Sequence, residues 1–504
     1  MKLELDRRNM LAATASGLAL AGCGQSVTEP AKSPINSLAK SAHTDLTGQI
    51  KMLKSGDVKA GELLETTIER IEALNPKTGA VLTTCYDRAR DFVKKLPADT
   101  VAGGAPMLIK DLKDVAGVRS TYGIGAFKNF TAPKSDIYVK RVEAAGMAIV
   151  GKTNTPELGL LPVTEPLAYK QAKNPWDLTR TPGGSSGGTA AAVASGMMPC
   201  AQGSDGGGSI RIPSHYCGLF GLKPSRNRVV FEGKRAFSIS VAGALSRTVR
   251  DSALMMSLTE TTEKDRDFPS IGLVSDPIDR PLKIGLAMDD YFAGKNICDA
   301  NVTAAIEKSA KLCEDLGHNV EIVSSPLFGQ ELVEAFLMLW ASIPHDMVKL
   351  VEQMKGGPVT DTDVEPWTQG MAQHFVDGGG QEGLQKAIAK LRKAERDTVA
   401  FLKNYDAVLS PVMPTPAHKL GKYDSGDRDK VEEGFAVAAA SVGYTAVQNV
   451  SGAACMSVPL FRSPANLPIG SQFISAPGND GLLLGLAYQL EAAQPWIDSY
   501  PNLL

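Results

Sequence analysis

The sequence predicts an α/β fold with a mixed or largely parallel sheet, because helical patterns alternate with short apolar strands. Asp136 is expected to cap a helix that ends at Gly146 and leads into an apolar strand at residues 148–150. The same order recurs later, where apolar positions at helical spacing over residues 302–316 precede a strand-like segment at 320–323. A hydrophobic fraction of 43% is ordinary for a globular protein with a large core.

Residues 1–22 are predicted to be a secretory signal peptide. A basic segment with Arg7 and Arg8 precedes about a dozen apolar residues, too few for the ~20 that a membrane-spanning helix needs. Arg7-Arg8 resembles the twin-arginine export signal, and the Leu-Ala-Gly-Cys sequence ending at Cys23 resembles the bacterial lipobox, whose cysteine is lipidated. Residues 23–42 then predict a flexible tether. We expect export to the cell envelope or periplasm and a lipid anchor at Cys23; a soluble exported protein and an uncleaved amphipathic N-terminus are the alternatives.

Further elements follow along the chain. A helix is expected over residues 62–74, ended by Asn75-Pro76. The apolar run 107–109 predicts a buried strand that ends at Lys110. Residues 355–382 are polar and contain glycines, which predicts an insertion or a mobile surface segment.

Composition excludes some classes of function. The formal net charge of −2 gives no reason to expect nucleic acid or an anionic membrane surface as a partner. The seven cysteines show neither a CxxC motif nor a Cys–His cluster, so no metal site and no cofactor are predicted. Apart from Cys23, they lie in apolar contexts that favour buried free thiols, with a disulfide as the alternative in an exported protein. The oligomeric state stays open, and a homodimer is one alternative.

Glycine and serine are concentrated in two segments, residues 182–188 and 203–213. Such density indicates unusual backbone angles or a close approach of the backbone to another group. A phosphate-binding loop is disfavoured because neither segment contains GxxxxGK[ST] or stands in a strand–GxGxxG–helix context. The apolar flanks of the segments argue against a linker. A catalytic loop remains. Ser209 follows three glycines, so its neighbouring amides are sterically open, as an oxyanion hole requires.

A serine needs a base before it becomes nucleophilic. The six histidines show no pattern for a Ser–His–Asp arrangement. A buried lysine can serve as the base because burial lowers its pKa. Lys110, directly after an apolar strand, is the lysine best placed for this role, although an isolated lysine is usually a solvated surface group.

Residues 105–225 resemble the amidase signature family, and weaker similarity extends from about residue 45 to the C-terminus. The spacings also fit, with 75 positions from Lys110 to Ser185 and 24 from Ser185 to Ser209. The matching segments are 108–111, 151–154, 174–177, 183–188, 205–211 and 217–224. The resemblance implies an amidase domain over residues 43–504, with its signature core at about 105–225. It also implies a central mixed, twisted β-sheet covered by helices on both faces.

The resemblance implies a Ser–Ser–Lys arrangement in this sequence. Ser209 would be the nucleophile, and Ser185, placed after a cis peptide bond, would relay protons. Lys110 would be the neutral base that activates Ser185. The implied activity is hydrolysis of small or peptide-like amides, linear or cyclic, through an acyl-enzyme on Ser209.

Residues around Ser209 would support this chemistry. The backbone amides of Gly206, Gly207, Gly208 and Ser209 would form the oxyanion hole. Three further side chains, of Asp205, Arg211 and Ser186, would hold the loop in place, with plain structural ion pairing as the alternative for Asp205 and Arg211.

A resemblance to one branch of the family and two alternative functions complete the prediction. Gly206 and the sequence at 163–165 look most like the branch containing 6-aminohexanoate cyclic-dimer hydrolase. An amidotransferase subunit that works on charged transfer RNA and a non-catalytic amide-binding protein share the same core. Residues 335–345 and 444–452 could line the substrate pocket, although apolar stripes of this kind are more often core packing.

Overall fold

A computed structural model describes residues 44–231, 237–261, 266–326, 328–497, 500, 501 and 503. The predicted signal peptide, the tether and Cys23 lie outside these residues. The helices in chain order are α1 (Leu46–Ser55), α2 (Ala60–Thr78), α3 (Tyr86–Lys95), α4 (Ile137–Ala144), α5 (Gly187–Ala194), α6 (Arg211–Cys217), α7 (Val249–Thr259), α8 (Ala300–Asp315), α9 (Gly329–Lys355), α10 (Pro366–Asp377), α11 (Gly380–Leu402), α12 (Val431–Val442), α13 (Ala446–Val450) and α14 (Asp480–Ala493). Within the described part of the chain, no helix is both long and apolar enough to cross a bilayer.

The strands form an eight-stranded and a three-stranded sheet. They are β1 (Val81–Thr84), β2 (Pro106–Lys110), β3 (Ala148–Thr153), β4 (Cys200–Asp205), β5 (Phe220–Lys223), β6 (Val241–Ser246), β7 (Lys283–Leu286), β8 (Asn319–Ile322), β9 (Ala407–Pro411), β10 (Ala454–Arg462) and β11 (Pro468–Ser475). The large sheet has the order β4-β6-β5-β10-β11-β9-β7-β8 and the small one β1-β3-β2. Neighbours from β4 to β9 are antiparallel, whereas β9, β7 and β8 are parallel. In the small sheet β2 is parallel and β1 antiparallel to β3. Both sheets are therefore mixed, which confirms the prediction.

Helices cover both faces of the large sheet. Along β4, Cys200 packs into one apolar cluster and the next residue, Ala201, into another. Successive side chains of a strand point to opposite faces, so the two clusters lie on the two sides of the sheet. The first cluster takes side chains from α7, α8 and α14, and the second from α2 and α5. The predicted arrangement of a sheet between helical layers is confirmed.

Local signals placed two helix–strand units correctly. The Asp136 carboxylate accepts a hydrogen bond from the Tyr138 N–H at 2.8 Å and caps α4, which leads through Gly146 into β3. The unit predicted over residues 302–323 is α8 followed by β8.

The predicted end of helix α2 at Asn75-Pro76 is wrong. The helix contains Pro76 and continues to Thr78, where Gly79 adopts a left-handed conformation with φ of 61°. The Asn75 side chain exchanges two hydrogen bonds with the backbone of Val81, at 2.8 and 2.9 Å. Asn75 therefore fixes the turn from α2 into β1 rather than ending the helix.

The prediction of a mobile surface segment over residues 355–382 is also wrong. Helix α10 lies in this segment and buries Trp367, Met371 and Phe375, which recur every four residues and so share one face. These side chains pack with α9, α11 and α12 in a third apolar cluster. Because polar residues separate these three side chains in the sequence, the apolar face of α10 was not recognised from the sequence.

A buried ion pair fixes the end of β2. The Lys152 ammonium lies 2.7 Å from the Asp111 carboxylate, and both side chains are fully buried. Asp111 also accepts hydrogen bonds from the N–H and hydroxyl of Thr121, at 2.9 and 2.5 Å. Because Asp111 directly follows Lys110, these contacts hold the lysine in place.

Lys152→Met is expected to lower the free energy of unfolding by about 3–5 kcal/mol, because it leaves the Asp111 carboxylate buried without its cation. Chemical denaturation measures this change. The control is Lys393→Met, which breaks an exposed pair with Asp397 at 2.7 Å and should cost at most about 1 kcal/mol. Equal effects of the two substitutions would contradict the role given to the buried pair.

Candidate active site

Lys110 and Ser185 are in direct contact. The Lys110 Nζ donates to Ser185 Oγ at 2.7 Å and to Ser204 Oγ at 3.2 Å. The backbone N–H of Lys110 donates to Gln202 Oε1 at 2.9 Å, which ties the end of β2 to β4. The peptide bond between Gly184 and Ser185 is cis, as the resemblance implied. The fold thus joins two of the three predicted side chains across 75 positions of sequence.

The Lys110 amino group is fully buried and has no ion-pair partner among the described residues. Burial lowers its pKa to about 7, although the negative charge of Asp205 acts in the opposite direction. A lysine with this pKa is partly neutral at neutral pH and can accept a proton.

Ser209 lies on the loop between β4 and α6. It borders a narrow cavity of 30 Å³ together with Gly184 and Gly207. The N–H of Ser186 donates to the Ser209 carbonyl oxygen at 3.3 Å, which joins the Ser209 loop to the segment that carries Ser185. The Ser186 hydroxyl donates to the Ser204 carbonyl oxygen at 3.2 Å, so Ser186 holds both segments against β4.

Three of the four amides expected to form an oxyanion hole are available. The expectation for Gly208 is corrected, because its N–H donates to Asp205 Oδ1 at 2.8 Å. Gly208 has a φ of 133°, and a Cβ at this position would stand 2.4 Å from the Thr445 hydroxyl oxygen. The N–H groups of Gly206, Gly207 and Ser209 have no protein partner within the described chain.

The Asp205 carboxylate organises this loop. It pairs with the Arg211 guanidinium at 2.9 Å, and both side chains are fully buried. Burial alone would raise the pKa of Asp205, but Arg211, Lys223 and a hydrogen bond from Asn449 outweigh it and hold the pKa below its usual range. Arg211 Nη1 donates to Gln472 Oε1 at 2.8 Å, and Nη2, which also bonds Asp205, donates to Asn449 Oδ1 at 2.6 Å.

Both predicted wall segments reach the site. Phe336 and Trp340, from residues 335–345, border the Ser209 cavity. Thr445, from residues 444–452, donates its hydroxyl proton to the Gly207 carbonyl oxygen at 2.6 Å.

Sequence reasoning missed other parts of the wall. Trp367 borders the Ser209 cavity from α10, and Phe435 borders it from α12. The four-residue spacing of Trp367, Met371 and Phe375 was the available signal. Residues 159–162 also line this cavity, and no local pattern marks them.

Among the described residues, no histidine lines the Ser209 cavity. His215 lies six positions after Ser209, but its ring nitrogens contact the backbone of Thr415 and Gly470. Burial lowers the His215 pKa to about 4. Among the described residues, no group of three or more His, Cys, Asp or Glu side chains could hold a metal ion.

Comparison with known proteins decides the family. The amidase family model matches residues 62–484. The chain belongs to the amidase signature family.

Relatives of this amidase match it over nearly their whole length. The 6-aminohexanoate-cyclic-dimer hydrolase of Paenarthrobacter ureafaciens is 32% identical over 488 residues, covering 91% of this chain and 97% of the relative. A solved structure of 6-aminohexanoate cyclic dimer hydrolase has a TM-score of 0.81 at 28% identity, covering 91% of this chain and 99% of that one. A bacterial aryl acylamidase, at 24% identity and a TM-score of 0.79 over 90% and 97% of the two chains, shares the fold.

Family membership establishes the reaction class. The amidase hydrolyses carboxylic amide bonds, and its substrate is an amide. The predicted amidase signature fold and the resemblance to the cyclic-dimer hydrolase branch are confirmed.

Proposed function

We propose that this amidase cleaves its substrate through an acyl-enzyme on Ser209, with Ser185 as the proton relay and Lys110 as the base. The observation that supports this most strongly is the 2.7 Å contact between Lys110 Nζ and Ser185 Oγ. Within the described part of the chain the lysine is buried without a counter-ion, so its neutral form is favoured. A neutral amine accepts a proton, whereas an ammonium cannot.

The proposed acylation conserves every proton. Lys110 takes the Ser185 hydroxyl proton, Ser185 takes the Ser209 proton, and Ser209 Oγ forms a bond to the carbonyl carbon. The oxyanion that develops accepts hydrogen bonds from the free amides of Gly206, Gly207 and Ser209. The C–N bond breaks as the amine nitrogen receives the proton back through Ser185.

Deacylation uses the same groups. A water molecule gives a proton to the relay and attacks the acyl carbon. The bond to Ser209 Oγ breaks, the serine regains its proton and the carboxylic acid leaves.

The two alternatives receive less support. A non-catalytic binding protein has no need of the contact between Lys110 and Ser185. The predicted N-terminal export segment disfavours an amidotransferase subunit, since charged transfer RNA is cytoplasmic.

We expect Ser209→Ala to lower kcat for a simple amide by about 10⁴-fold or more, because it removes the nucleophile. Lys110→Ala should lower kcat by about 10²–10⁴-fold, because it removes the base. Steady-state hydrolysis, with circular dichroism to confirm folding, measures both effects.

Ser214→Ala is the matched control for Ser209→Ala. Ser214 lies in α6, is fully buried, and its hydroxyl has no hydrogen-bond partner in the described structure. This variant should retain wild-type hydrolysis. Near-wild-type turnover by folded Ser209→Ala would disprove the acyl-enzyme.

The rate should also depend on pH. Only neutral Lys110 can act as the base, so kcat/KM should rise with pH through about 7 and then level off. Burial also raises the pKa of Glu365 to about 7. Glu365→Gln is therefore the control, and it should keep the same midpoint. A midpoint that disappears in this variant, or that lies above pH 9, would contradict the assignment of Lys110.

We infer that the protein is exported and lipid-anchored through Cys23. The basic segment, the short apolar stretch and the Leu-Ala-Gly-Cys sequence support this inference.

Cys23→Ser should therefore move the full-length protein from the membrane fraction to the soluble fraction when it is expressed in a bacterium. The matched control is Cys85→Ser, which should leave the distribution unchanged. The same membrane content for wild type and Cys23→Ser would rule out the anchor.

A further inference from the structure

One peptide unit of the catalytic loop, between Gly207 and Gly208, is held at both ends. Its carbonyl oxygen, on Gly207, accepts a hydrogen bond from the Thr445 hydroxyl at 2.6 Å. Its N–H, on Gly208, donates to Asp205 Oδ1 at 2.8 Å. The C=O and N–H of a planar trans peptide point in opposite directions, so the two hydrogen bonds together fix the orientation of the whole unit.

Two of the free amides lie on the peptide units on either side of this clamped unit. The Gly207 N–H belongs to the unit before it and the Ser209 N–H to the unit after it, and neither has a protein partner in the described part of the chain. Each neighbouring unit shares an α-carbon with the clamped one, so only the backbone angles at Gly207 and Gly208 set the directions of these amides. Glycine restricts its own angles least of all residues, so the restriction must come from contacts such as the clamp.

Thr445 reaches the loop from a distant part of the sequence, 238 positions after Gly207, and is fully buried. It precedes α13, at an N-cap position where a threonine side chain usually accepts a hydrogen bond from the first turn of the helix. In the described structure its side chain makes no such bond. A hydroxyl has one proton, and the Gly207 carbonyl oxygen at 2.6 Å is a closer acceptor than that of Val442 at 3.2 Å. The Thr445 hydroxyl therefore serves the catalytic loop rather than its own helix.

Thr445 is itself held in place and packs tightly on the loop. Its N–H donates to the carbonyl oxygen of Val442 at 2.9 Å, and Val442 borders the Ser209 cavity at the end of α12. A Cβ at position 208 would stand 2.4 Å from the Thr445 hydroxyl oxygen and 2.9 Å from its Cβ. Thr445 therefore contacts two successive residues of the loop, Gly207 by a hydrogen bond and Gly208 by packing.

We propose that Thr445 is a positioning residue for the oxyanion hole, and that its hydroxyl orients the 207–208 peptide unit so that the amides of Gly207 and Ser209 converge on the developing oxyanion. This inference rests on the proposed role of Ser209 as the nucleophile. Thr445 acts through the backbone and does not touch the reacting atoms. Loss of its hydroxyl should therefore weaken the stabilisation of the transition state and leave the base unchanged.

The test measures the reaction of a fluorophosphonate with Ser209, which does not depend on the natural substrate. Ser209 Oγ forms a bond to phosphorus and fluoride leaves. The serine proton passes to the relay and then to solvent, and the phosphoryl oxygen takes the place of the oxyanion. Thr445→Val keeps the shape of the side chain and removes the hydroxyl. It should lower the second-order rate constant of labelling at least about 10-fold, with folding confirmed by circular dichroism.

Two further variants serve as controls. Thr445→Ser keeps the hydroxyl and should restore most of the labelling rate. Thr67→Val is the matched control, because Thr67 lies buried in α2 and its hydroxyl also donates to a backbone carbonyl oxygen, that of Leu63, at 2.8 Å. Thr67→Val should be labelled as fast as wild type.

The pH dependence of labelling separates positioning of the amides from a disturbed base. Thr445→Val leaves the contact between Lys110 and Ser185 intact, so the midpoint near pH 7 should stay while the plateau rate falls. A wild-type plateau rate in folded Thr445→Val would overturn the role of Thr445, and so would Thr445→Ser labelled as slowly as Thr445→Val. A shifted midpoint would also overturn it, because the base would then be affected. Wild-type enzyme that is not labelled, or Ser209→Ala labelled as fast as wild type, would instead overturn the nucleophile and with it the proposed function.

Discussion

The candidate site depends on the burial of the Lys110 amino group, which has no counter-ion among the residues that the structure describes. In water a lysine is protonated at neutral pH, and an ion pair would keep it so. Here the carboxylate whose charge acts on it, Asp205, pairs with Arg211 at 2.9 Å. The lysine is left with hydroxyl partners, Ser185 and Ser204, which suit a neutral amine as well as an ammonium.

The surrounding fold pairs the carboxylates of Asp111 and Asp205 with cations other than Lys110 and holds the glycine loop in place. Asp111 and Lys152 form a separate buried pair at the end of β2, so the residue after Lys110 carries its own cation. Asp205 binds the N–H of Gly208, which turns the glycine loop and leaves the neighbouring amides free. Asn449 and Gln472 reach Arg211 from the C-terminal part of the chain. The positions of the reactive groups therefore depend on ion pairs and hydrogen bonds that span most of the sequence.

Local sequence patterns predicted the elements whose residues lie close together in the sequence. The apolar run before Lys110 and the Asp136 cap marked β2 and α4, and the three glycines before Ser209 marked an open loop. The contact between Lys110 and Ser185 spans 75 positions, so the family resemblance, not the spacing of apolar residues, indicated it. Gly208 and α10 were assigned wrongly. The Gly208 N–H bonds the Asp205 side chain, which the sequence alone does not show, whereas the apolar spacing of Trp367, Met371 and Phe375 was present in the sequence and was overlooked among polar residues.

Direct titration of the Lys110 amino group tests this arrangement most sharply. Lysine amino groups labelled with ¹⁵N can be followed by NMR across the pH range, with Lys110→Arg used to assign the signal. We predict a midpoint near pH 7, far below that of an exposed lysine. A Lys110 amino group that stays protonated up to pH 9 in the folded protein would contradict its role as the base.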